Sequence, residues 1–582
     1  MIGYRGRALA ALLVLASSGC GLIGGEDHER PGSAFAGSSG LAEPAIGGSS
    51  GGAQPASGGT RAGEGGTNSL GTSGRGGADS LAGASSAGAS SAGSAGGRAV
   101  EPDCTTAVNV EGDLKVTAGS EPIGPVANVW GDLTISSTTT GLSNLRCLQT
   151  VGGNVTVQLA SGELDALGKL RSVGGDLAIV GSGTIRDLSA LRSLGAITGG
   201  LEIRENTALL DLSGMGLLGY LGKGLSVEGN PALSSLTGLD RLERVTVLRI
   251  INNARLPNLD ALSHLGRRNI DIDIQHNDAL VSVAGLRGFD EARSVTIRAN
   301  ASLPDLKGLE GWTALGQATI SFNDALTNLG GLNGVTTIQS LMLTDNANLR
   351  ALTGLEQVKS IGVATIADNP RLENLEVLGT SLTELGFFEL RGGPVASLEG
   401  LQNITELSDL DLLDCNVSSL NGLRNLTLAA NVTIRNSKLE DLTGLGKVAI
   451  PGLLSLENND QLASLSGLAP TSRELSLVHL RGNPKLANLS GLEMVSSLAE
   501  LYLEANAGLA SLSGLENLKS IGSLGVFSQP ALLNLAPLSG LAAITVNAVF
   551  KQNTVLSTCA IQALATRCGA PIVELEGNGP CN

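Results

Sequence analysis

Along most of the chain the apolar positions recur in one frame, apolar-x-apolar-x-x-Asn-x-x-Leu-x-x-Leu-x-Gly-Leu. It stands complete in Leu341-Met-Leu-Thr-Asp-Asn-Ala-Asn-Leu-Arg-Ala-Leu-Thr-Gly-Leu355. The closing position falls at Leu191, Met215, Leu239, Leu262, Leu286, Leu309, Leu332 and Leu355. It continues at Leu378, Leu401, Leu423, Leu445, Leu468, Leu492, Leu515 and Leu538, in steps of 22 to 24 residues. A constant period of this size predicts a solenoid, in which no unit buries its own apolar face and stacking supplies the core. The alternation that opens the frame predicts a strand with an outward residue between two buried ones.

Four shorter segments precede the full frame: Val110-Glu-Gly-Asp-Leu-Lys-Val116, Val129-Trp-Gly-Asp-Leu-Thr-Ile135, Val151-Gly-Gly-Asn-Val-Thr-Val157 and Val173-Gly-Gly-Asp-Leu-Ala-Ile179. Each predicts a glycine-containing turn leading into a strand. From Leu201 onward each strand closes on a polar position, held by Asn206, Asn230, Asn253, Asn277, Asn300, Asn323, Asn346 and Asn369, then by Asn459, Asn483, Asn506 and Asn553. Gly393, Cys415, Ser437 and Gln529 are the exceptions. Where the chain turns inward its backbone groups leave the sheet ladder and would be buried unpaired. An inward amide both donates and accepts, so a stack of amides satisfies the turn in coil after coil. Gly393 has no side chain to do this and predicts a local irregularity.

These motifs resemble leucine-rich repeats, and more closely the receptor L-domain family, whose coils carry the turn-strand seen at 110–179. The resemblance covers about 104–582; the irregular first coils and the weak Asn signal before Asn206 depart from it. It implies an all-β-leaning, parallel β-helix-like solenoid that binds a peptide, protein or glycan through its surface. About 18 coils at roughly 4.8 Å each give a body on the order of 85 Å long.

The ends read differently. Residues 1–20 predict an export signal: Arg5 and Arg7, an apolar run from Ala8 to Ala16, then Ser-Ser-Gly-Cys20. This resembles a bacterial lipoprotein signal with Cys20 lipidated, although Ser17 stands where that family has Leu. Gly21 after the cysteine implies sorting to the outer membrane. Residues 21–100 are dominated by Gly, Ala and Ser and predict a disordered tether, which lacks the apolar surface to offset its ordering entropy. The remainder, 101–582, is the solenoid with terminal caps. Ser557 to Cys568 leaves the frame and predicts a short capping helix with Ile561, Leu564 and Ala565 on one face.

In an exported chain the cysteines permit disulfides. Cys104 and Cys147, both in the first coils, are expected to pair. Cys559 and Cys568 would lie on opposite faces of a helix. Cys581 can therefore take only one of them, and Cys559 is preferred. Cys415 occupies an Asn position and reads as a buried thiol.

The net charge of −16 argues against a nucleic-acid partner, which requires a basic footprint, and reads as a solubility device. Two catalytic spacings are set aside. Gly214-Met-Gly-Leu-Leu-Gly219 lies at a repeat turn with no βαβ unit around it, and Gly47-Gly-Ser-Ser-Gly51 lies inside the tether. The histidines, His28, His264, His276 and His479, show no zinc spacing, and Asp-Asn pairs such as Asp345-Asn346 read as surface carboxylates rather than a calcium site. No catalytic residue, metal or cofactor is expected. Candidate ligand-binding residues come from the outward strand rows, which toward the C-terminus collect Arg435, His479, Arg481, Tyr502 and Phe527. Arg and aromatics are the types that dominate binding hot spots, and aromatics are only 2% of this chain. The expected function is recognition or adhesion at the cell surface, lipid-anchored in the bacterial envelope, with an extracellular protein, peptide or glycan as partner. A structural envelope protein without a specific ligand is the alternative. A carbohydrate-active enzyme would need converging carboxylates, and Asp273 and Asp411 lie too many coils apart to supply them.

Overall fold

The computed structural model describes residues 103–117, 124–136, 142–159, 164–266, 269–468, 475–570 and 572–581. The expected signal, Cys20 and the tether to residue 100 lie outside them. From Cys104 onward the chain winds as a parallel β-solenoid. Its main sheet starts at Leu114–Thr117, which pairs with Leu133–Ser136, and runs strand by strand to Ala543–Lys551 and the short Ile572–Glu574. Pairing keeps one register, so Leu341 lies between Ala318 and Ala364 just as Leu343 lies between Ile320 and Ile366.

Within a coil the burial period changes from two to three. In Thr337–Thr344 the buried residues Ile338, Leu341 and Leu343 share the inner face. After the turn Asn346, Leu349, Leu352, Leu355 and Val358 are all buried at steps of three. The return path is a run of tight turns in which Leu349, Leu355 and Val358 donate to the carbonyls three residues back at 3.1, 3.1 and 3.2 Å. Three-residue turns stack side chains in line, so one row of leucines fills the layer between sheet and return. The only α-helix among the described residues is Thr558–Cys568, which buries Ile561, Leu564, Ala565 and Cys568 against the last coil.

The asparagines form the expected stack. Asn230 N–H donates to Asn253 Oδ1 at 3.2 Å, and its Nδ2 donates to the Ile203 carbonyl of the preceding coil at 2.9 Å. The same pattern runs from Asn206 to Asn369 and from Asn459 to Asn506. Asn578 closes the row by accepting from Asn553 at 3.2 Å. At Gly393 and Cys415 the stack is interrupted, with Gly392 and Gly393 both in left-handed backbone and Cys415 a buried free thiol.

The first coils differ in kind. Each carries two short strands, and the second set (Val108–Val110, Val126–Val129, Thr150–Val151, Ser172–Val173 and Ala196–Ile197) makes its own small sheet. The Gly-Asp turn between the two sets has a ladder of its own. Asn154 N–H donates to Asp132 Oδ1 at 2.7 Å, Asp176 N–H to Asn154 Oδ1 at 2.8 Å, and Gly200 N–H to Asp176 Oδ1 at 2.7 Å. That last contact is the main reason the Asp176 carboxyl titrates below its ordinary range. From Glu291–Arg298 onward most coils merge the two segments into one strand of eight residues.

Two disulfides secure the ends, Cys104–Cys147 and Cys559–Cys581, and Cys568 is a buried free thiol. Some of the acidic side chains also have a local structural task. Glu356 and Glu516 accept from the Gly354 and Gly514 N–H groups at 2.9 and 2.8 Å, pinning the Gly-Leu turn of their coils.

Candidate functional site

The outward face of the main sheet is built from alternate strand residues, and register sets which of them meet. His479 lies beside Tyr502 and Tyr502 beside Gly525. One row along, Arg481 lies beside Glu504 and Glu504 beside Phe527. The His479 and Tyr502 rings are 5.6 Å apart, and the Tyr502 and Phe527 rings 5.1 Å apart, both tilted. Such spacing is that of favourable aromatic pairs. Gly525 makes the stack possible: a Cβ there would lie 2.7 Å from Phe527 Cε2 and 3.1 Å from Tyr502 Cδ2. The two rings lie over a bare patch of backbone.

Carboxylates hold the polar edges. Glu500 Oε1 meets His479 Nε2 at 2.8 Å. Glu504 Oε2 accepts from the Tyr502 hydroxyl at 2.9 Å and pairs with Arg481 Nε at 3.2 Å. Partial burial, and then the Glu504 carboxylate, push the Tyr502 phenol above its ordinary pKa.

Four of the five sequence-derived candidates thus come together: His479, Arg481, Tyr502 and Phe527. Arg435 does not join them. It lies beside Glu457, two strands from Arg481, and pairs with Asp414 at 3.2 Å. Glu500 and Gly525 were missed. The eight-residue strand Ser497–Glu504 presents a third outward position, Glu500, and its signal was the extended alternation Glu500-Leu-Tyr-Leu-Glu504. Gly525 was hidden because a glycine in a strand carries no pattern of its own.

The other groups weighed in the sequence find quiet places. Gly214 has φ +110°, and a Cβ on it would lie 1.9 Å from the Leu188 carbonyl oxygen; it is a packing glycine of the repeat. Among the described residues no three His, Cys, Asp or Glu side chains converge as a metal-binding group. Glu389 and Asp411 are neighbours in register, a carboxylate pair that the comparison of Asp273 with Asp411 overlooked.

Strand ladder, buried asparagine stack and Leu-x-Gly-Leu turns together define a leucine-rich-repeat-like parallel β-solenoid. No protein-family model matches the sequence, and no curated protein is similar to it. Solved structures are similar at low identity. A leucine-rich repeat protein from Bacteroides eggerthii is 12% identical with a TM-score of 0.36, over 73% of this chain and 70% of that one. A leucine-rich repeat protein of Leptospira interrogans is 16% identical with a TM-score of 0.31, over 74% and 90%. An internalin from Listeria monocytogenes is 14% identical with a TM-score of 0.18, over 76% and 85%. None of these likenesses brings a ligand or a role with it.

Proposed function

We propose that this chain is a non-catalytic recognition or adhesion lipoprotein of the bacterial cell surface, anchored through Cys20. It takes a protein, peptide or glycan on the sheet face around His479, Arg481, Tyr502 and Phe527. The observation that carries the proposal is the aromatic stack over Gly525. Four of the aromatics are fully buried, Phe289, Trp312, Phe388 and Phe550, and in so aromatic-poor a chain three rings aligned on the open sheet face need a use. Aromatic faces edged by paired Arg and carboxylate groups suit a flat, partly polar ligand surface.

The test is a binding screen of the mature chain against peptides, envelope glycans and whole cells, with the Arg481→Glu/Tyr502→Ala variant and Gly525→Ala alongside. Saturable binding weakened at least tenfold by either variant is expected. Binding that both retain moves the site elsewhere. Absence of any binding by the folded protein leaves the structural-envelope role standing. Anchoring is read separately, as incorporation of labelled palmitate by the full chain and its loss in Cys20→Ser.

A further inference from the structure

A second surface lies in the middle of the sheet, apart from the aromatic stack, and its charges are arranged differently. Elsewhere on the sheet face the acids have a cation at hand: Glu202 and Glu504 pair with Arg204 and Arg481, and Glu228, Asp273 and Glu457 have Arg204, Arg249 and Arg435 beside them in register. Glu389, Asp409 and Asp411 form no ion pair among the described residues. Their partners are neutral: Thr365 Oγ1 donates to Glu389 at 3.4 Å, Asn431 Nδ2 to Asp409 at 2.7 Å, and the Thr433 side chain to Asp411. Arg391, two residues from Glu389, is turned away to Asp368, with Nη2 at 2.7 Å. Burial pushes the Asp411 carboxyl above its ordinary pKa, and Glu389 and Asp409 add to the shift.

Beside these acids the same face is apolar. Phe387 lies next to Val363 on one side and Asp409 on the other; Met342 faces Thr365, which faces Glu389. Met342 is 47% exposed and Val363 40%, high values for such side chains on a sheet. Apolar and acidic groups therefore alternate within about two strand spacings, roughly 10 Å.

We propose that this surface docks an extended peptide segment carrying Lys or Arg beside an apolar side chain. Its apolar residue covers Met342, Val363 and Phe387, and its cation reaches Glu389, Asp409 and Asp411. The charge requirement follows from three clustered carboxylates that form no direct ion pair among the described residues, Arg391 acting on Glu389 only at longer range. The apolar requirement follows from exposed Met342 and Val363 and half-buried Phe387 next to them. Side chains two residues apart on an extended chain share one face at about 6.6–7 Å, the same step that separates Phe387 from Glu389 along their strand. A charge-assisted contact is about twice as strong as a neutral one, so the acids should dominate the selectivity.

The experiment is calorimetric titration of the full chain with a short capped peptide in which leucine and lysine stand two residues apart with serine between them, so that both share one face, and with its glutamate-leucine counterpart. Saturable binding of the basic peptide, none of the acidic one, and a Kd raised at least tenfold in Glu389→Gln/Asp411→Asn are expected. Phe387→Ser, whose site is only partly buried, should weaken the same binding and guards against a charge variant that misfolds. The proposal is overturned if the basic peptide does not bind, if both peptides bind alike, if an inorganic cation alone gives the full heat, or if the variants bind unchanged. None of these residues belongs to the Tyr502 stack, so the two readings fail separately.

Discussion

At Gly514 the backbone takes φ +110°, and a Cβ would lie 2.1 Å from the Leu489 carbonyl oxygen of the coil below. The glycine of the Leu-x-Gly-Leu frame is thus fixed twice, by conformation and by close approach. Gly514→Ala is expected to cost about 3 kcal/mol in urea unfolding, near the upper range for a strained backbone position. Gln529 holds the opposite lesson. It takes an Asn position, but its Oε1 is buried and meets no donor among the described residues. Gln529→Asn should restore the regular rung and raise stability by about 1 kcal/mol, as an unmade buried hydrogen bond is regained. Asp411 supplies a pH signature. Its folded pKa is raised, so the native state binds the proton more tightly than the unfolded chain. Ionisation therefore opposes folding once pH exceeds the folded pKa, and the penalty is relieved as pH falls through it. Asp411→Asn should raise the thermal midpoint at pH 7 and leave it unchanged at pH 3.

At the scale of elements, the repeat frame carried much of the answer in its spacing. Strands, inward asparagines and the C-terminal helix were legible because burial forces a regular pattern on them. Strand length was less so: merging two segments into Ser497–Glu504 depends on how the bend is taken up, and that added Glu500 to the site. The Asp and Asn ladder of the first coils went unread, since its residues resemble ordinary turn formers until their carboxylates are seen reaching the next coil. Asn578 was hidden too, as its rung is reached only after the helix breaks the frame. That last segment depends on Cys559–Cys581, on Asn578 and on the pairing of Lys551 with Glu574. Closing a loop of this size is worth about 3 kcal/mol. In the Cys559→Ser/Cys581→Ser variant, hydrogen exchange should quicken across the last strand and helix while amides near Leu341 keep their protection. Uniform loss of protection would mean that the end coil is not a separate unit.

Over the whole solenoid each coil touches only its neighbours, so stability is close to a sum of coil and interface terms. Architecture was therefore readable from one period, whereas partner chemistry was not. The two outward surfaces draw on successive coils, spanning 48 positions from His479 to Phe527 and 69 from Met342 to Asp411, and only register decides that Tyr502 meets Gly525 or that Glu389 meets Asp411. Arg435 shows the limit: it belongs to the same row as Arg481 but is claimed by Asp414.

The stack opens for one rung between Asn506 and Gln529, but its longer break, around Gly393 and Cys415, has a mechanical reading. From Asn369 through Gly393 and Cys415 to Ser437, no side-chain hydrogen bond links these inner positions to one another among the described residues. The same coils are instead clasped from outside, Arg391 to Asp368, and Arg435 and Asn436 to Asp414. Interior rungs are shielded from ions, whereas exposed pairs are screened by them. Pulled along its axis, the rod should yield first at this seam, and at lower force in high salt. Optical-tweezer traces would then show an early extension step whose force falls with ionic strength, while later steps hold theirs; a salt-independent first step would place the weak point elsewhere. The solenoid would thus carry its own fuse, set at a fixed rung and tuned by the surrounding salt.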